Sequence, residues 1–237
     1  MALIELRDLC KRYVIGGQEI MALNHIDLDV DAGELSAIIG PSGSGKSTLM
    51  HLLGCLDTPS SGSIKIDGTE LSKASGDQLA EMRNRKIGFV FQSFNLLPRL
   101  NVVQNVELPM IYAAYSAKER RQRAEAAIER VGLESRMHNR PMQLSGGQCQ
   151  RVAIARAIVN DPRIIFADEP TGNLDSTTGA SILELFHELS DQGRTIMLVT
   201  HDPEIAAITP RCIEIKDGNI RRDYRNDQKT STAAASP

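Results

Sequence analysis

The chain has 237 residues, 24% of them charged, and a formal net charge of −3. That length suits one large α/β domain with a sizeable core, and that charge gives none of the global positive field of a nucleic-acid binder. The four cysteines show no Cys-x-x-Cys spacing, and no apolar run approaches the roughly 18 residues of a membrane span. The chain reads as cytosolic, its cysteines as small buried hydrophobes, and any membrane role as one exercised through a partner.

Residues 3–9 and 25–30 alternate apolar and polar positions, which predicts two half-exposed antiparallel strands. Between them Tyr13 precedes the turn-prone Gly16-Gly17, where its ring can either stack on a flat base or pack on a sheet edge. A predicted strand, residues 35–39, then enters Gly40-Pro41-Ser42-Gly43-Ser44-Gly45-Lys46-Ser47-Thr48, and a helix leaves from Lys46. Strand, glycine-rich loop and helix in that order are a phosphate cradle: backbone N–H groups turn inward, Lys46 reaches the outer phosphates, and the Ser47 hydroxyl completes a Mg²⁺ shell.

A turn cluster at residues 57–62 leads to a short strand at 63–66 and an Asp67-Gly68 turn, a predicted hairpin. A polar helix over 79–86 precedes the apolar strand 87–91, which ends at Gln92. The loop Ser93-Phe94-Asn95-Leu96-Leu97-Pro98 is too apolar to stand in water, so it either meets a partner or packs under the helices that follow. Residues 116–131 space Ala124, Ala127, Ile128 and Val131 helically, with the arginines on a solvated face and Gly132 as a stop.

Leu144-Ser145-Gly146-Gly147-Gln148 opens another helix, with Ser145 as its N-cap and an anion-binding character at its start. The apolar strand through Ile164, Ile165, Phe166 and Ala167 ends in Asp168 and Glu169, at the end where open α/β sheets put ligands. Adjacent acids there suit a Mg²⁺ shell for Asp168 and polarisation of an attacking water for Glu169. A polar loop to Ser176, a helix over 177–192 and a strand over 195–200 follow, and His201 stands at that strand's end. His25, His51, His138 and His187 have no motif around them and read as surface or packing residues. A terminal hairpin turns at residues 217–219, and the Thr-, Ser- and Ala-rich tail 227–237 is predicted to be disordered.

The cradle, Gln92, Leu-Ser-Gly-Gly-Gln, the acid pair and the strand-terminal histidine, in this order, resemble the ATP-binding cassette (ABC) ATPases over about residues 1–222. Gly54-Cys55-Leu56-Asp57, Asn95-Leu96-Leu97-Pro98 and Asp168-Glu169-Pro170-Thr171-Gly172-Asn173-Leu174-Asp175 narrow the resemblance to the macrolide-export and lipoprotein-release group. The resemblance implies an α/β fold in a single domain, residues 1–226: a P-loop NTPase core with a mainly parallel sheet and an N-terminal antiparallel β subdomain. An inserted helical subdomain, about residues 93–160, would carry the signature motif. It makes Tyr13 the adenine-stacking aromatic and Gln92 the sensor of Mg²⁺ and water. It also makes Glu169 the catalytic base, His201 the γ-phosphate switch and Asp175 a residue that communicates across a dimer. Ser145, Gly146, Gly147 and Gln148 would complete the ATP site of the opposite subunit. Cys149 departs from the polar residue usual after the signature. The implied cofactors are ATP and Mg²⁺; the implied partners are a second ATPase subunit, as a homodimer, and integral membrane permease subunits, with no nucleic acid. Such a protein is peripheral on the inner face of the cell membrane. A nucleotide-gated regulatory protein that controls a membrane partner without transport is the alternative.

Overall fold

The computed structural model describes residues 2–226, so the tail predicted over 227–237 lies outside the described residues. β1 (Ala2–Ile15) and β2 (Gln18–Asp31) pair antiparallel across Gly16-Gly17, and both strands run longer than their alternating stretches. The two turn glycines take φ of +59° and +82°, the left-handed region that lets a two-residue connection close. β3 (Leu35–Ile39) feeds the glycine-rich loop and α1 (Lys46–Leu53). β4 (Ser61–Ile66) and β5 (Thr69–Glu70) form the predicted hairpin, which pairs with β1 in a sheet ordered β2-β1-β4-β5.

α2 (Gly76–Lys86) leads into β6 (Ile87–Phe91), and three helices follow before the next strand: α3 (Val102–Ile111), α4 (Ala117–Arg130) and α5 (Gly146–Ile158). α3 was not legible, because Pro109 reads as a breaker and the segment abuts an apolar loop. Asn101 and Gln104 start it with a reciprocal cap, and the fully buried Asn105 ties it to the preceding loop through the backbone of Leu97, Leu100 and Asn101. β7 (Ile164–Asp168), α6 (Ser176–Asp191), β8 (Thr195–Thr200), a short α7 (Pro203–Ile208), β9 (Arg211–Lys216) and β10 (Asn219–Arg225) complete the described chain.

The large sheet is ordered β10-β9-β3-β8-β7-β6, with every neighbouring pair parallel except β10 against β9. Both its faces are buried. Ile165, Ala167, Ile196 and Leu198 face the core shared with α3 to α6, while Phe166, Met197, Val199 and Ile213 face the core shared with α1 and the antiparallel sheet. This two-sided burial is why these strands read as continuous apolar runs. All four cysteines are free and buried, and burial pushes the Cys55 thiol up to about 11.

Candidate functional site

α1 is the one α-helix among the described residues whose N-cap makes no side-chain bond. Gly45 stands there at φ +108°, whereas each other α-helix has an N-cap side chain that accepts a backbone N–H. The first N–H groups of α1 are thus left for an anion. Gly40, at φ +149°, is required by space as well: a Cβ there would lie 2.1 Å from the Ile215 carbonyl oxygen. The Ser44 hydroxyl is buried without a partner, and the turn after β9 closes on its backbone, where Gly218 N donates to Ser44 O at 2.9 Å. Lys46 is buried and donates to the carbonyls of Gly40 (2.7 Å) and Pro41 (2.9 Å). Burial lowers its pKa, opposed by the nearby Glu169 and Asp168. Free N–H groups, an orphan hydroxyl and a buried cation fit a polyphosphate; Ser47 stands exposed at the helix start.

Parallel register carries the remaining chemistry to the same edge. Phe91 pairs with Asp168, Asp168 with Val199, and Thr200 with Ile39, so Gln92, Glu169, His201 and Gly40 each begin the loop after one of four adjacent strands. Glu169 takes φ +44°, an uncommon left-handed conformation for a glutamate, at the point where the chain leaves β7. Its carboxylate accepts from the Thr200 hydroxyl (3.0 Å) and His201 N–H (3.0 Å), and His201 Nδ1 lies 2.5 Å from Glu169 Oε1. Thr200 in turn accepts from Asp202 N–H. Thr200 is a positioning residue the motifs did not reveal; its only signal is a hydroxyl ending an apolar strand. Asp168 is held above the usual carboxylate range by burial and by Glu169, while His51 and Lys46 oppose the shift.

Gln92 packs against the loop after the acid pair. A Cβ on Gly172 would meet Gln92 Nε2 at 2.7 Å, and Asn173 Nδ2 donates to Gln92 O at 2.9 Å. Tyr13 is half-buried on β1, and its hydroxyl donates to Asp57 (2.9 Å), which also receives Lys11 Nζ at 2.6 Å. Burial alone would raise the Asp57 carboxyl, but hydrogen bonds from Lys11, Thr58 and Tyr13 hold it below the usual range. Lys11 also sits 5.0 Å from the Tyr13 ring centroid, so the ring's orientation is set by two neighbours.

The signature motif sits elsewhere. Ser145 and Gln148 form a reciprocal cap at the start of α5, with Ser145 and Gly146 exposed. Added Cβ atoms at Gly146 and Gly147 would meet Leu174, Phe94 and Thr178, whereas those at Gly40 and Gly45 would meet Ile215, Ser44, Ala22, Leu23 and Gly218. The nearest atoms around the two glycine clusters thus come from different parts of the chain. Asp175 caps α6, its carboxylate accepting from the backbone and hydroxyl of Thr178 and held low by those bonds.

Among the cavities of the described residues that lie away from the cradle, two matter here. One of about 890 Å³ runs along α6 and α7 with Asp175 and Asp202 in its wall. The other, about 600 Å³, is a groove floored by Phe89 and Phe91 of β6 and walled by α2, α3 and α5. Of the apolar loop after Gln92, only Asn95 lines this groove. Leu96 packs against the core and Leu97 stays 47% exposed, so the loop divides between the two expectations for it.

A phosphate cradle beside strand-end acids and a histidine on neighbouring parallel strands defines a P-loop nucleotide hydrolase. Within that class, the chain belongs to the ABC transporter family, whose model matches residues 23–172. It is an ATP-binding, ATP-hydrolysing cassette. The uncharacterised ABC transporter ATP-binding protein YvrO of Bacillus subtilis is 54% identical over 95% of this chain and 98% of its own length. The macrolide export ATP-binding/permease protein MacB of Nitrosomonas europaea is 53% identical over 97% of this chain, which spans 35% of that protein. The dimeric ATP-binding cassette MJ0796, solved in a post-hydrolysis state with ADP and Pi, superimposes with a TM-score of 0.87. It is 44% identical, over 94% of this chain and 99% of that one.

Proposed function

We propose that this chain is the motor subunit of an export or lipoprotein-release machine, in which two copies close around two ATP molecules and drive a membrane permease. The single observation that carries the two-chain reading is that the P-loop and signature glycines pack against different parts of the chain, although both open helices. Each cradle is then completed by the Ser145, Gly146, Gly147 and Gln148 of the other copy. The dimeric state of the MJ0796 cassette supports this.

In the closed site Lys46 and the α1 N–H groups hold the phosphates, Tyr13 stacks on the adenine, and His201 contacts the γ-phosphate. Glu169 orients and polarises the attacking water, and Asp175 communicates with the opposite site. Ser47, Gln92 and Asp168 would hold Mg²⁺; when bound, that cation neutralises charge on the phosphate oxygens. Three ligands of this kind leave about half of a six-coordinate shell for water and phosphate oxygen.

No helix among the described residues is long and apolar enough to cross a membrane. The export permease is supplied by partner subunits, and the chain works as a peripheral protein on the cytoplasmic face of the cell membrane. The naming of the MacB relative as an ATP-binding/permease protein supports an export output. A cytoplasmic helix of the permease docks in the groove over Phe89 and Phe91, with Asn95 of the loop after Gln92 in its wall. The test is purification of the tagged chain from detergent-solubilised membranes. A co-purifying permease that stimulates ATP hydrolysis is expected; retention of no integral membrane protein would overturn the reading.

A further inference from the structure

We infer that this groove selects its partner helix by an acidic side chain, which pairs with Arg83 of α2 and Arg156 of α5. The inference rests on the docking reading above and names the chemistry of what docks.

The groove's lining contains two arginines and no aspartate or glutamate, in a chain whose net charge is −3. Among the described residues neither guanidinium has an ion pair within 4 Å, while the chain's buried arginines do. Arg83 donates to the Cys55 carbonyl (2.7 Å), and Arg156 donates to the carbonyls of Asn95 (2.6 Å) and Phe94 (2.8 Å). The two buried arginines among the described residues are ion-paired, Arg194 with Asp161 at 2.6 Å and Arg211 with both Glu34 and Asp223, whereas the half-buried Arg83 and Arg156, like Arg151, bond carbonyl or hydroxyl oxygens. A guanidinium has five N–H donors in a planar fork, so the contacts made within the chain leave donors on both residues for a carboxylate. Two partly desolvated cations without anions make a groove that favours an acid and rejects a base.

The floor suits the rest of such a helix. The rings of Phe89 and Phe91 lie parallel with centroids 5.6 Å apart, and Tyr112 at the rim is 85% exposed. An amphipathic helix that lays its apolar face on the two rings presents a flanking carboxylate to the arginines. The position of Arg156 also links this contact to the ATP site. Phe94 and Asn95, whose carbonyls it holds, both take positive φ (+59° and +48°) and follow Gln92 within three residues. A carboxylate on Arg156 thus engages the segment that carries Gln92.

Two measurements test this. In the first, the full chain is titrated with a stapled amphipathic helical peptide of roughly 15 residues carrying either a central Glu or a central Lys. The Glu peptide should bind at least about fivefold more tightly, with the preference lost in Arg83→Glu and reduced by salt. Equal affinities for the two peptides, or an unchanged preference in Arg83→Glu, would overturn the inference. In the second, Arg83→Glu should lose most of the co-purified permease and its stimulation of hydrolysis, while Arg83→Lys retains more and the basal rate of each stays at the unmodified level. Retention of the permease by Arg83→Glu within twofold would also overturn it. If the unmodified chain retains no permease, the docking reading fails, and the peptide pair still decides whether the groove prefers an acid.

Discussion

Lys46 spends its hydrogen bonds on carbonyls of its own loop, at a helix start whose N-cap makes no side-chain hydrogen bond. A unit charge about 4 Å from a phosphate at an effective dielectric near 20 is worth about 4 kcal/mol before desolvation. Lys46→Ala should therefore weaken a fluorescent ATP analogue by a factor of a hundred or more, about 3 kcal/mol. Near-normal affinity would remove Lys46 from the phosphate site. Glu169→Gln keeps the shape of the side chain and loses the base: binding should persist while phosphate release falls by about 10²–10⁴. Asp168 offers a test with the opposite sign for stability and for activity. Burial and Glu169 raise its pKa, so the native state holds the proton more tightly than the unfolded chain does. Native stability then falls as pH rises from the ordinary carboxylate range through the raised value, and the deficit persists at pH 7. Asp168→Asn should raise the melting temperature of the nucleotide-free protein at pH 7. The gain should disappear below the ordinary carboxylate range, and Mg²⁺-dependent hydrolysis should be lost. Solvent screening of the half-buried carboxyl limits the gain to about 1 kcal/mol, or roughly 2 to 4 °C.

The helices of this chain start in similar ways for different ends. Ser75 opens α2 and Ser145 opens α5 with the same reciprocal cap, each hydroxyl accepting a backbone N–H at 3.3 Å. Loss of such a cap costs about 1 kcal/mol. Ser75→Ala and Ser145→Ala should thus lower the melting temperature by similar small amounts. Only Ser145→Ala should depress ATP hydrolysis beyond what its stability loss accounts for, because in the proposed two-chain site its helix start faces the other copy's nucleotide. Equal activity in the two variants would reduce the signature to a structural cap. Motif positions and the capped start of α5 were legible because both depend on residues a few places apart in sequence. α3 and α7 were not: one contains Pro109, and the other is a single short turn opened by Asp202 and Pro203.

On the scale of the whole molecule, the proposed division of the site between two chains would make turnover depend on how often the chains meet. The ATPase rate per chain should rise with protein concentration and then level off. ATP added to Glu169→Gln should double the mass measured by light scattering. A rate per chain independent of concentration, together with a monomer mass for Glu169→Gln in ATP, would reject the two-chain site.

The sequence by itself determined the chemistry: the phosphate loop, the acid pair, the signature and His201 each need particular residue types at local spacing, and local spacing can be read directly. It also determined the class of fold, because strands buried on both faces must be apolar throughout. Only the tertiary structure decided that β8 lies between β3 and β7, which brings Glu169 against Thr200 and His201 and beside the loop of Gly40. Strand order depends on how helices cover the two faces of the sheet, an energy spread over many long-range contacts with no local spacing to betray it. The same holds for the groove, whose two unpaired arginines are 73 residues apart in sequence (156 minus 83) and meet only because α2 and α5 both pack beside β6.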